Sequence, residues 1–224
     1  VIFAYSPHEL RSTSLLRSPS VPCFFPRHDL VDERRAPVVT TEGFMDRAWD
    51  LLQERGIQTA GVLTLPVMDP EEFPAAASAR GIECRPEWVQ AATAYRPQWV
   101  RHSVRNLLQM PGDRPAALLI CDDHLVEAAA EVIAGLDADT TRDLLVVGQW
   151  NFPLPYDGPL PLELLGPNAE DYLRRGIEWF RDGRKTSVSI SLRHVRVSPN
   201  KPGVDDPAVR AYRRIQELIR EGRT

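Results

Sequence analysis

The fold is decided by the stretch Arg114-Pro-Ala-Ala-Leu-Leu-Ile-Cys-Asp-Asp-His-Leu-Val-Glu-Ala-Ala-Ala-Glu-Val-Ile-Ala-Gly135. Its early part, Ala116–Cys121, is an unbroken apolar run of strand length, which is typical of a strand buried on both faces. Asp122-Asp123 follows at once, and a short acidic side chain there can cap the helix predicted over His124–Ala134. This stretch therefore predicts a buried strand that turns directly into a helix.

The same alternation continues on both sides of this unit. Leu144–Val147 predicts the next strand, and a strand–helix–strand unit with short connections implies a right-handed crossover and a parallel sheet. Further strands are predicted at Val1–Tyr5, Val21–Phe25, Gly61–Leu65 and, as a late strand or hairpin, Thr186–Val197. Further helices are predicted at Gly43–Arg55, Glu71–Arg80, Gln98–Leu108, Asn168–Arg181 and Pro207–Arg220. The predicted fold class is a doubly wound α/β chain in two lobes.

Composition and charge exclude several classes of protein. The chain has 224 residues, of which 43% are hydrophobic and 26% charged, and these values exclude a disordered or fibrous chain. The net charge of −4 shows no basic excess, so any DNA contact must come from a local patch or from a module outside this chain. The longest apolar runs fall far short of the roughly 18 residues that a membrane span needs, so no membrane partner is expected.

The three cysteines, Cys23, Cys84 and Cys121, are odd in number and widely spaced, and each lies near apolar residues. This pattern argues against a disulfide framework or a metal site and favours small buried packing residues in a reducing compartment. We therefore expect a cytoplasmic protein.

No catalytic pattern stands out in the sequence. It contains no G-x-S-x-G, no Walker loop, no H-E-x-x-H and no G-x-G-x-x-G. None of its five histidines stands at metal-ligand spacing from another histidine or a cysteine. The sequence therefore predicts no catalytic residues, no metal, no cofactor and no enzymatic activity.

Polar and aromatic residues at the predicted strand ends are the candidates for a ligand site. In doubly wound folds, ligands bind outside the carboxyl ends of the strands. The residues that we predict to bind a ligand are Ser6, Arg27, His28, Tyr95, Trp99, Asp122, Gln149, Trp150 and Asn151.

Alternatives stay open for several of these residues. Asp122 either faces the ligand while Asp123 caps the helix, or it is simply solvated. Trp150 is either a stacking surface flanked by two amides or a core residue. Tyr95 and Trp99 either add an aromatic wall or pack in the core or at its rim.

The order of these segments resembles a known family. The quoted stretch, 114–135, resembles the "P-x-A-hydrophobic-x-x-x-N-D" strand and helix of the LacI/GalR-type ligand-binding domain, and Asp143–Gly148 resembles its "D-hydrophobic-x-V-V-G" strand. Weaker resemblances fall in order at Ser20–Pro22, Arg27–Asp29, Val39–Phe44, Leu52–Gly56 and Gly158–Phe180. Together they cover nearly all of residues 1–198.

The resemblance implies a two-lobed, periplasmic-binding-protein-like sensor domain over residues 1–198, with the N-terminal part of the first lobe missing ahead of Val1. It implies a bacterial transcription regulator, a homodimer, that closes on a small effector such as a sugar or related metabolite. DNA would be bound through a module outside this chain or at its end. The alternative is a periplasmic solute-binding protein that transports a sugar-like ligand.

The sequence departs from the family's pattern at the pocket. Gln149 and Trp150 replace the family's aromatic residue and its sugar-binding acid, Asp122 replaces the usual Asn, and Arg27 replaces the usual Asp. The family's arginine near the hinge is also missing, and Asp69–Phe73 stands in its place. These departures indicate either a ligand other than a standard pentose or hexose, or a vestigial site.

The C-terminal end departs from the family as well. Residues 199–204 are predicted to be a linker, and residues 205–224 a helix that resembles the opening helix of AraC-type DNA-binding domains, as fused behind this sensor in xylose-responsive activators. The apolar stripe of this helix consists of Val209, Tyr212, Ile215, Leu218 and Ile219. The alternatives are that the stripe packs on its own lobe or pairs with a second copy.

Overall fold

The computed structural model describes residues 13, 23–24, 38–41, 43–93, 96–109, 113–182 and 187–198, with only the backbone described at 38–41 and 187. The chain divides into two compact units, as the predicted two-lobed fold class requires. The smaller unit comprises residues 1–42 and 167–192, and the larger comprises residues 43–166 and 193–224.

The strands and helices alternate along the chain. The strands are β1 (Val38–Thr41), β2 (Ala60–Thr64), β3 (Val89–Ala91), β4 (Ala117–Ile120), β5 (Leu145–Gln149), β6 (Leu162–Gly166), β7 (Ser187–Ile190) and β8 (Arg193–Val197). The α-helices are α1 (Phe44–Glu54), α2 (Glu72–Ser78), α3 (Pro97–Gln109), α4 (Asp123–Ala134), α5 (Ala138–Thr141) and α6 (Ala169–Arg181), and a 3₁₀ turn spans Pro86–Trp88. The predicted boundaries of α1–α4 and α6 differ from these by at most two residues at either end.

The larger unit is built on a six-stranded sheet with the order β3-β2-β4-β5-β6-β8. The strands from β3 to β6 are all parallel, and β8 pairs antiparallel with β6. This mostly parallel sheet confirms the predicted α/β fold class.

Alternate residues of β4 pack into two different cores. Leu118 and Ile120 belong to the core that contains apolar residues of α3 and α4. Ala117 and Leu119 belong to the core that contains apolar residues of α1 and α2. Because successive side chains of a strand point to opposite faces, the sheet has helices on both faces, and its central strand has to be apolar throughout.

The smaller unit contains a second, two-stranded sheet in which β1 pairs parallel with β7. Its core cluster joins Phe24 to Tyr172 and Trp179 of α6 and to Ile190 of β7. The Phe24 ring centroid lies 5.1 Å from that of Tyr172 and 5.9 Å from that of Trp179. These aromatic contacts hold α6 within its unit.

Residues 187–197 do not form the single strand or hairpin that the alternation over Thr186–Val197 predicts. The segment forms β7 and β8, which lie in different sheets: β7 pairs with β1, and β8 pairs with β6. The prediction is wrong because alternation with a period of two indicates an extended backbone but does not indicate with which strand the segment pairs. Three short strands, β1, β3 and β6, are additions that the sequence did not predict.

Several predicted segments lie outside the described residues. These are the strand Val1–Tyr5, the linker 199–204 and the C-terminal helix in 205–224, and only Cys23 and Phe24 are described of the strand Val21–Phe25. In the described parts of the chain, no helix is both long and apolar enough to cross a membrane.

Glu163 places a charge inside the larger unit. Its side chain is only 2% exposed, and its carboxylate lies 3.0 Å from Nη2 of Arg55 and 2.6 Å from Nε2 of His194. The Nε of Arg196 is 3.8 Å away. A buried carboxylate is tolerated only when it is paired and hydrogen-bonded, so these partners tie β8 and the C-terminal end of α1 to β6.

Gly166→Ala is expected to destabilise the protein strongly. A Cβ at this position would stand 1.7 Å from the carbonyl oxygen of Trp150, a backbone atom that cannot easily move away. We expect a loss of about 2 kcal/mol or more in the free energy of unfolding, measured by urea denaturation. The control is Gly135→Ala, where a Cβ would meet nothing closer than 3.5 Å and which should be near neutral. Equal stability of the two variants would contradict the packing at Gly166.

The cysteines are expected to be unreactive in the folded protein. All three are buried, as predicted. Burial raises the pKa of Cys84 and of Cys121 to about 12 and also raises the pKa of Cys23. On the order of one thiol in 10⁴ at positions 84 and 121 is then ionised at pH 8, and the thiolate is the reactive form. A disulfide reagent at pH 8 should modify all three thiols quickly in denaturant and slowly without it. Fast reaction of the folded chain would contradict their burial.

Candidate ligand-binding site

Several polar side chains meet at one edge of the six-stranded sheet. β2, β4, β5 and β6 run parallel, so their carboxyl ends share that edge. Asp122 and Asp123 follow β4, and Asn151 follows the neighbouring β5. Nonlocal pairing thus places these residues side by side, although they are nearly thirty positions apart along the chain.

Asp122, and not Asp123, caps α4. Its backbone is extended, with φ −151° and ψ 135°, and its Oδ1 accepts a hydrogen bond of 3.0 Å from the backbone N–H of His124. The prediction that Asp123 is the cap is wrong by one residue. Cys121 was counted in the strand, but β4 ends at Ile120, so the helix begins one residue earlier than predicted.

Asp123 makes the contact that joins the ends of the two strands. Nδ2 of Asn151 donates a 2.7 Å hydrogen bond to Oδ2 of Asp123. Sequence reasoning did not single out Asp123 as a site residue. The sequence did contain a signal for this contact. The carboxyl ends of adjacent parallel strands lie side by side, and Asp122-Asp123 follows one of these strands while the amide Asn151 follows the other.

His124 extends this acidic cluster toward solvent. Its ring is 72% exposed, and its Nδ1 lies 3.1 Å from Oδ1 of Asp122 and 3.1 Å from Oδ1 of Asp123. Asp122, Asp123 and His124 each offer a ligand atom within 4.8 Å of the others, a donor set that can hold a metal ion. The same carboxylate oxygens can equally accept hydrogen bonds from hydroxyl or ammonium groups of a small molecule.

The structure places the Trp150 side chain in the core, in agreement with the second interpretation given above. The residue is 5% exposed, and its indole N–H donates a 2.8 Å hydrogen bond to the carbonyl oxygen of Leu154. Its ring meets Tyr156 edge-on, with 5.7 Å between the centroids, and burial raises the pKa of Tyr156 to about 12. A contact between Trp150 and a ligand stays a prediction.

Gln149 and Trp99 occupy different parts of this edge. Gln149 is the last residue of β5 and is half-buried. Trp99 lies in the first turn of α3, is 46% exposed, and stacks on the guanidinium of Arg96, which is 5.0 Å from the ring centroid. α3 follows the outer strand β3, and β2 stands between β3 and β4, so Trp99 is set apart from the Asp122 cluster.

The structure therefore brings together some of the predicted ligand-binding residues. Asp122, Gln149, Trp150 and Asn151 lie at the ends of β4 and β5, and Trp99 lies further along the same edge. Ser6, Arg27, His28 and Tyr95 lie outside the described residues.

Comparison with known proteins identifies solved structures that share this fold. No family profile matches this chain, and no curated protein matches it in sequence. Similar solved structures are transcription regulators of the LacI family. The Escherichia coli repressor ascG superimposes with a TM-score of 0.62 at 15% identity, over 89% of this chain and 74% of that one.

Two further structures show the same likeness. A LacI regulator from Lactobacillus casei, with bound Tris, has a TM-score of 0.61 at 16% identity, over 88% of this chain and 76% of that one. A sugar-binding LacI-family regulator from Enterococcus faecalis has a TM-score of 0.52 at 15% identity, over 78% of this chain and 68% of that one. At these identities the likeness shows the fold, which this chain shares with these regulators.

Asp122→Ala is expected to lower stability through the lost cap. Removal of the Oδ1 acceptor leaves the backbone N–H of His124 at the start of α4 without its partner, which costs about 1 kcal/mol in similar caps. Urea denaturation measures the change. Asp143→Ala, which removes an exposed carboxylate before β5, is the control and should be within about 0.5 kcal/mol of the parent protein. An equal loss in the control would rule out the cap as the cause.

Proposed function

We propose that this chain is the effector-binding domain of a bacterial transcription regulator. The observation that carries the proposal is the polar cluster at the carboxyl ends of β4 and β5, joined by the Asn151–Asp123 hydrogen bond. It lies where doubly wound folds bind small molecules, in a fold that is shared with LacI-family regulators. Likeness to regulators favours this function over the transport of a solute.

The effector is a small polar molecule, a sugar or a related metabolite. The cluster offers carboxylate oxygens and an amide, groups that pair with hydroxyl hydrogens and leave an apolar ligand unsatisfied. One similar regulator binds sugars, and another holds Tris, which is an amino-polyol. We expect the proposed site to include Asp122, Gln149, Trp150, Asn151 and Trp99, together with Ser6, Arg27, His28 and Tyr95.

Binding acts as a signal because the effector favours one of two conformational states. An effector shifts such an equilibrium only by the difference in its affinity for the two states. We propose that the shift reaches DNA through an attached module, in a homodimer, in the cytoplasm. The resemblance of residues 205–224 to an AraC-type opening helix makes the C-terminal end the first place to look for that module.

A thermal-shift screen tests the proposed effector class. The chain is heated in phosphate buffer with D-ribose, D-xylose, D-glucose or cellobiose, and with Tris as a separate ligand. A ligand present at 100 times its Kd stabilises the folded state by about 2.7 kcal/mol, so a binder should raise Tm visibly.

A pair of matched variants tests the site itself. Asp122→Asn keeps an acceptor that can cap α4 but removes the charge, and it should weaken binding of a polyol found in the screen by about tenfold, as expected for a hydrogen bond to a charged group. Asp137→Asn makes the same change at the cap of α5, whose Asp137 accepts from the Thr140 N–H, and it should leave Kd unchanged. If both variants bound the polyol with equal affinity, the proposed site would be contradicted. If none of the screened compounds stabilised the chain, the proposed effector class would be contradicted.

A further inference from the structure

Arg193 brings a positive charge to the edge of the sheet that carries the candidate ligand-binding site. It is the first residue of β8 and pairs antiparallel with Gly166, the last residue of β6. Because β8 runs against the other strands of the sheet, its first residue lies at their carboxyl ends. This edge therefore holds an arginine that the site described above does not use.

The side chain of Arg193 lies on the face of the sheet that is covered by α3 and α4. Val195 and Val197 pack against the core that contains Phe152 and apolar residues of these helices. Alternate residues of a strand share a face, so Arg193 lies on this face too. It is half-buried, and its guanidinium carbon is 5.1 Å from the centroid of the Phe152 ring. The ring thus holds the guanidinium at the edge of the core.

Phe152 connects Arg193 to the polar cluster. Phe152 directly follows Asn151, whose amide donates to the carboxylate of Asp123. In the strand order β4-β5-β6-β8, carboxylates follow β4, an amide follows β5, and a guanidinium stands at the start of β8. From β4 to β8, this edge of the sheet thus changes from acidic to basic.

The charge of Arg193 is not neutralised by any residue that the structure describes. The next charged residues of β8, His194 and Arg196, alternate onto the opposite face, where both lie against the buried Glu163. No described carboxylate forms an ion pair with Arg193, and its contact is the Phe152 ring. An aromatic ring attracts a cation but accepts none of the hydrogen bonds that the guanidinium N–H groups can donate to an anion.

We propose that Arg193 binds an anionic group of the effector, and that the effector is a polyol with a carboxylate or a phosphate at one end. A guanidinium can present two parallel N–H donors to either group. Hydroxyls of the same ligand donate to Asp122 and Asp123, and these carboxylates repel its anionic end, so the charges fix the direction in which the ligand lies. This inference rests on the proposed function and narrows its ligand class.

Two matched sets of sugars test the ligand class on the full 224-residue chain. D-Glucose, D-glucuronate and D-glucose 6-phosphate differ only in the group at one carbon, as do D-ribose and D-ribose 5-phosphate. Their Kd values are measured by titration calorimetry in HEPES buffer that contains neither phosphate nor Tris. We expect an anionic sugar to bind at least about tenfold more tightly than its neutral counterpart, as for a hydrogen bond between charged groups. The two anionic forms of glucose distinguish a carboxylate from a phosphate.

A variant of Arg193 tests whether this residue provides the preference. Arg193→Gln keeps a planar polar group beside Phe152 and removes the charge, so the anionic and neutral sugars should bind with nearly equal Kd values. The ratio of the two Kd values is measured on one protein, so a smaller folded fraction affects both alike. The control is Arg142→Gln, which removes a 70% exposed arginine that precedes β5, at the opposite end of the sheet, and it should leave the ratio unchanged.

The possible results separate this inference from the proposed function. If a neutral sugar bound as tightly as its anionic counterparts, the role of Arg193 would be overturned and the polyol site would stand. The same conclusion would follow if Arg193→Gln and Arg142→Gln had equal effects on the ratio. If no sugar of either set bound, both the anionic ligand and the proposed effector class would be rejected.

Discussion

The pairing of β4 with a parallel neighbour on each side is the constraint on which the rest of the larger unit depends. Leu119 of β4 lies opposite Val62 of β2 and Val147 of β5. With partners on both edges and helices on both faces, every residue from Ala117 to Ile120 is buried. Only apolar side chains fit at these positions. Polar side chains can therefore occur only after the C-terminal end of the strand. The length of the apolar run thus determines that Asp122 and Asp123 lie just beyond the carboxyl end of β4.

The parts that the sequence predicted well are those in which local and tertiary signals agree. Strand β4 is an apolar run, α4 has a cap and an apolar face, and β5 is a second apolar run, so each element is recognisable without its neighbours. Strand β6 was missed because Glu163 interrupts its apolar run, although that charge is buried and paired with Arg55 and His194. The separation of β7 from β8 was missed because strand partners are chosen by long-range packing.

The candidate site shows the same division. Its location followed from strand order, and the residues after β4 and β5 do lie together. The role of each side chain depends on tertiary contacts, which the spacing of residues along the sequence does not predict. The indole N–H of Trp150 donates to the carbonyl oxygen of Leu154, and its ring packs on Tyr156. The ring therefore lies in the core, although the sequence was equally consistent with a contact to a ligand. Asp123 is held by Asn151, a partner 28 positions away.

The chemistry of the strand ends also bears on the departures from the LacI/GalR pattern. In that pattern the strand corresponding to β5 is followed by an acid, and the strand corresponding to β4 by an amide and then an acid. Here the β5 end has Trp150 and the amide Asn151, and the β4 end has the carboxylates of Asp122 and Asp123. The negative charge has therefore moved by one strand and the hydrogen-bonding groups are kept. In the site that we propose, this exchange keeps acceptors for a ligand rich in donors and changes where each donor must lie, so we interpret the departures as a sign of an altered effector and not of a vestigial pocket.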